Sequence, residues 1–147
     1  MVERARRREE RLQRLAEGQK TAYEDFLRAC ARVRLAMLVP DVAVALELMR
    51  AARELLSAMA LVTSREVMSE ATRHLSALAD LVGAVDVLAQ AHARGVAEDV
   101  EAAAGLADER LAQLGSTEGT LVDAMRRHLG LADLLPAEDR QASTADR

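Results

Sequence analysis

From Leu12 onward the apolar positions step by four and three residues. Leu12, Ala16, Gln19, Tyr23, Phe26, Cys30, Val33 and Met37 fall in this order, with Gln19 the one polar break. Such spacing keeps a single stripe on one side of a helix, so it predicts one long helix over residues 1–38 with a coiled-coil-like seam. Tyr23 and Phe26 are the only aromatic residues in the chain. Three residues apart, they share a face and form the bulkiest knob around which a core or an interface can pack.

Pro40 suits the first turn of a new helix and Asp41 favours its positive end, so a second helix is expected over about 40–62. Its polar residues Glu47, Arg50, Glu54 and Ser57 occupy one strip, and the rest of its surface is expected to be well buried. Thr63-Ser64-Arg65-Glu66 fits a capping box with Thr63 as N-cap. A third helix then carries Met68, Ala71, Leu75, Leu78, Val82, Val85, Ala89 and His92 to a stop at Gly95, and Gly83 inside it marks a candidate close crossing. A fourth begins near Val96 with Val100, Ala103, Ala107, Leu111 and Leu114 on one face. The phase runs on through Leu121, Met125 and Leu129 to Gly130, which favours helix over loop at 115–119. Four helices with short connections imply an all-α, antiparallel four-helix bundle. The expected divisions are a charged helical arm at 1–18, the bundle at 19–131 and a polar, disordered tail at 132–147.

Composition agrees with helices throughout. Half the 147 residues are hydrophobic, Ala and Leu dominate, Ile is absent and aromatics make up 1%. Such a core is thin per residue, so self-association is an expected source of further burial. The single cysteine excludes an internal disulfide and points to a reducing, cytoplasmic setting. No 18-residue run is free of charge, so no membrane-spanning segment is expected. The strong preference for Arg over Lys, with abundant Ala, suggests a GC-rich bacterial genome.

Charge matters chiefly through where it sits. The net charge is −4, yet residues 1–20 hold seven basic and four acidic side chains, leaving −7 for the rest. Arg4, Arg6, Arg7, Arg8, Arg11 and Arg14 therefore make a candidate interaction arm that projects about 27 Å if its eighteen residues are helical. It could grip nucleic acid or an anionic membrane surface. The interleaved acids and the lack of a stacking aromatic favour a charge-paired helix instead, with Glu3–Arg7, Arg6–Glu10 and Glu10–Arg14 as i,i+4 pairs.

Catalytic and metal signatures are weak. Glu66, Glu70 and His74 share a helix face, but bundle metal sites draw Glu-x-x-His pairs from several helices and none occurs here, so a solvated helix edge accounts for them. His92 and His128 sit near helix C-termini, where the dipole favours a cation. Cys30 lies on the core seam, as a buried and inert thiol would. Gly18-Gln19-Lys20-Thr21 lacks the earlier glycine and the preceding strand of a phosphate loop. The chain is expected to be no enzyme and to need no cofactor or metal.

An Arg-rich helix leading into Gln19-Lys20-Thr21-Ala22-Tyr23-Glu24-Asp25-Phe26-Leu27 is followed by Val62-Thr63-Ser64-Arg65-Glu66-Val67 and by Ala124-Met125-Arg126-Arg127-His128-Leu129-Gly130. Over roughly residues 10–131 this order resembles a group of uncharacterised bacterial all-helical proteins with no assigned activity, in which an acidic residue often stands where His128 is found. The resemblance implies the helical fold and no particular chemistry. Many members carry an N-terminal membrane helix that this chain does not show, so membrane association is not carried over. The functional expectation is a non-enzymatic protein–protein interaction or self-association module. It would be homodimeric through the first helix or bundle surface, with another helical protein as a possible partner. The alternative is a binder of nucleic acid or anionic membrane through the arm.

Overall fold

The computed structural model describes residues 1–39 and 41–130. Within them the chain forms four helices: α1 Val2–Ala36, α2 Val42–Met59, α3 Arg65–Arg94 and α4 Ala97–Leu129. No strand occurs among the described residues. The expectations for Pro40 and for the tail at 132–147 lie outside the described residues.

The helices make an all-α four-helix bundle built from two hairpins. α3 packs most extensively on α4 and α1 on α2, while α2 and α3 join the hairpins; α1 touches α3 and α4 only briefly, and α2 does not reach α4. The core is one cluster around Tyr23, Phe26, Met49, Met59, Leu78, Leu114, Leu121 and Met125. Tyr23 and Phe26 are both fully buried, so the aromatic pair is a core anchor. α4 runs unbroken through 115–119, as its apolar phase requires. Gly95 and Gly130 close α3 and α4 in the left-handed conformation, at φ 73° and 63°, which glycine adopts without a Cβ penalty.

Three expectations are corrected. The N-cap of α3 is Ser64, not Thr63: the Ser64 Oγ accepts from the Val67 amide at 3.2 Å, while Thr63 turns its hydroxyl to Tyr23. The second helix is shorter than 40–62 and is not well buried. Only Ala45, Met49, Ala52 and Met59 are buried, because α4 is out of reach and nothing among the described residues covers its outer side. Gly83 marks no close crossing, since it is exposed and a Cβ built there meets nothing within 4 Å. By length and composition alone α3 also passes for a helix able to cross a membrane. In this fold ten of its residues are buried, as a central bundle helix requires.

Neither pole of the bundle is flush. Tyr23 stands beside His128 and Arg34 beside Glu118, so α1 and α4 are antiparallel with those residues level. At one pole, residues 1–15 of α1 are all exposed and run past every other helix. At the other, α1 ends at Ala36 while α3 and α4 continue to the turn at Gly95. The main core cluster stops at Val82 on α3, with Val85 packed against it, and begins at Leu114 on α4. Beyond it the hairpin is held by buried Ala84, Ala91 and Ala103.

Candidate interaction site

The arm is a helix because its charges are partnered along it. The Arg7 guanidinium lies 2.6 Å from Glu3, and Arg6 and Arg14 lie 3.3 and 3.8 Å from the two oxygens of Glu10. These pairs are well exposed, so each stabilises the helix by only a few tenths of a kcal/mol, roughly 0.2–0.5. They also sort the arm by side. Arg6, Arg7 and Arg14 are engaged with carboxylates, whereas Arg4, Arg8 and Arg11 make no ion pair among the described residues. Arg4, Arg8 and Arg11 follow one another at i, i+4 and i+7, and Ala5, Leu12 and Leu15 lie among them on the extension of the core seam. Leu12 is 58% exposed and Leu15 56%.

Gln19, the polar break in the seam, is where the arm meets the body. Its side-chain amide donates to the Val62 carbonyl at 2.6 Å, tying α1 to the turn after α2. One turn further on, the Tyr23 hydroxyl is hydrogen-bonded to the Thr63 hydroxyl and lies 3.5 Å from His128 Nδ1. The two rings meet edge to face at 6.2 Å. Burial pushes the Tyr23 phenol up from its ordinary range, and the Thr63 contact partly offsets this. The junction is thus a closed polar cluster that fixes the arm's base. Beside it, a groove of about 510 Å³ runs between α1 and α2 past Leu15, Gly18, Ala22, Leu55, Ala58 and Leu61. This groove is open and mostly apolar, a shape suited to a helix rather than to a small polar substrate.

The residues weighed as metal ligands do not converge. Glu66 pairs with Arg127 at 2.5 Å and Glu70 with Arg73 at 3.6 Å. His74, expected on a solvated edge, is instead buried, with Nδ1 2.9 Å from the Thr117 hydroxyl. That hydroxyl donates to the Leu114 carbonyl at 3.0 Å, so the imidazole nitrogen facing it is a donor when the hydroxyl proton is used in this way. Burial pushes the His74 pKa down; the Glu118 carboxylate opposes this and Arg34 adds to it. Among the described residues no group of three His, Cys, Asp or Glu is placed to hold a metal ion. His92 is exposed near the end of α3.

Cys30, His74 and Glu118 line one cleft, but it holds only about 40 Å³, too little for a substrate. The Arg34–Glu118 pair at 3.4 Å stands at this cleft. Burial, and secondarily the Glu118 charge, push the Cys30 thiol up to about 12, far from the thiolate that nucleophilic chemistry needs.

The buried His74–Thr117 pair escaped sequence reasoning, although a signal was present. His74 sits within the run Ala71, Leu75, Leu78 and Thr117 between Leu114 and Leu121, both core positions. No family model, no curated protein and no solved structure matches the chain.

Proposed function

We propose that this chain is a non-enzymatic helical self-association module whose contact surface includes the arm of α1. The observation that carries the reading is the apolar seam of α1 continuing beyond the body. Leu12 and Leu15 lie more than half exposed at helical spacing, with Arg4, Arg8 and Arg11, which make no ion pair among the described residues, around them. A solvated helix has no use for that stripe, whereas a helical partner buries it. The inert thiol and the 40 Å³ cleft weigh against catalysis. With one free cysteine, the setting proposed is the reducing cytoplasm.

The test is the thermal midpoint at protein concentrations spanning a hundredfold, together with the mass in solution by light scattering. Association that stabilises the folded state makes the midpoint rise with concentration. A flat midpoint with a monomer mass rejects the reading.

A second reading draws on the same sorting of charge. Three arginines on one side, unpaired among the described residues, could hold phosphates of nucleic acid or of anionic lipid. It requires an affinity for duplex DNA or anionic vesicles that falls steeply with salt and is lost when Arg4, Arg8 and Arg11 are replaced together.

A further inference from the structure

We infer that the arm of one copy seats on the overhanging α3–α4 hairpin of the next, so that copies associate head to tail. The inference rests on the self-association reading and names the surface that the arm would meet. It starts from the two unfilled poles. α1 overhangs the body by Val2–Ala16, about 22 Å at 1.5 Å per residue. With Arg34 level with Glu118, α4 continues past the end of α1 to Ala97, leaving a step roughly 25 Å deep. The projection at one pole therefore has the length of the recess at the other.

The charges of the two poles are complementary. Residues 1–16 carry six basic and three acidic side chains, a net of +3. Residues 86–113 carry six acidic and two basic ones, a net of −4. None of Glu98, Asp99, Glu101, Asp108 and Glu109 has an ion-pair partner among the described residues, and all are exposed. Pairing arm with arm through the open side would instead set the unpaired arginines against one another. That arrangement is repulsive where the arm–hairpin one is attractive.

The apolar positions agree in register. On α4 the seam continues past the body as Leu111, Ala107, Ala104 and Val100, with Asp108 and Glu101 on its flank. One antiparallel register sets Arg4 beside Asp108, Ala5 beside Ala107, Arg11 beside Glu101 and Leu12 beside Val100. The same register brings Val2 over the floor of the step, where Leu38 and Val39 are 78% and 76% exposed. It also brings the hairpin turn at Val96 toward the arm base at Leu61, two more exposed apolar side chains. The arm then occupies, in the neighbouring copy, the place that α1 leaves vacant alongside α4. A contact of this kind joins different patches on the two partners and leaves a free arm and a free step at the ends, so it grows into open chains.

The experiment uses full-length protein and sedimentation velocity at low and high salt. One variant carries Arg4→Glu, Arg8→Glu and Arg11→Glu; the other carries Glu98→Arg, Glu101→Arg and Asp108→Arg. Every position is exposed, and circular dichroism melts check that both variants fold. The expected result is wild type whose mean mass keeps rising with concentration and falls with salt. Each variant alone should associate at least about tenfold more weakly, and their equimolar mixture should recover association, since each reversed surface meets its complement. A hairpin variant that associates like wild type overturns the head-to-tail contact and leaves self-association standing through another surface. A wild type that stays monomeric at low salt overturns both, whether or not its arm binds duplex DNA or anionic vesicles.

Discussion

Tyr23 shows how much of this fold turns on single side chains. Its ring is fully buried, and its hydroxyl bridges the α2–α3 turn at Thr63 to the end of α4 at His128. Tyr23→Phe keeps the ring and removes the bridge, leaving Thr63 and His128 without it. The expected loss is about 1–2 kcal/mol in urea unfolding. Phe26→Ala empties part of the same core and should cost about 3–5 kcal/mol. His74 makes a pH prediction whose sign follows from its burial. Because the folded state holds the imidazole below the ordinary 6.5, the unfolded chain binds the proton more readily. Stability tied to the neutral ring is complete above 6.5 and declines as pH falls below it toward the folded value. Urea melts at pH 7, 6 and 5 should fall more steeply for wild type than for His74→Leu, in which Thr117 still donates to the Leu114 carbonyl.

At the level of the helix, caps and glycines offer the sharpest tests. Ser64→Ala removes the side-chain cap of α3 and should cost about 0.5–2 kcal/mol, whereas a Thr63→Ala change acts through the Tyr23 contact. Gly83 lies exposed inside α3 with open space where a Cβ would stand, so Gly83→Ala should stabilise by up to about 1 kcal/mol in thermal melts. Much of this architecture could be read beforehand, since 3.6-residue periodicity and Gly stop signals depend only on local chemistry. The unbroken course of α4 through 115–119 is favoured for that reason, and the structure decides it against the loop that the two glycines there also allow. What periodicity does not encode is which helix covers which face. The outer side of α2 was therefore expected to be buried, and His74 to be solvated beside its acidic neighbours. The shift of the N-cap from Thr63 to Ser64 has the same origin, because the competitor for Thr63 is Tyr23, forty residues away. Of the candidate site, the Arg-rich arm was plain in the sequence. Its division into a paired and an unpaired side emerged only with the helix in three dimensions.

The described residues form a rod with an arm at one pole and a two-helix prong at the other, joined by a short four-helix waist. Stability should be unequal along it. The prong beyond the main cluster rests on alanines such as Ala84, Ala91 and Ala103, so its amides should exchange with solvent faster than those of the waist. Hydrogen exchange resolved by residue checks this, and protection of the prong that rises with protein concentration would mark it as a contact surface. Cys30 offers a second view of the same energetics. It is the chain's single thiol, is enclosed at the waist and is held fully protonated by its environment. A thiol reagent can therefore reach it only when α1 lifts from α3 and α4. The labelling rate of the unaltered protein becomes a clock for that event, separating the detachment of one helix from the collapse of the whole without introducing any probe.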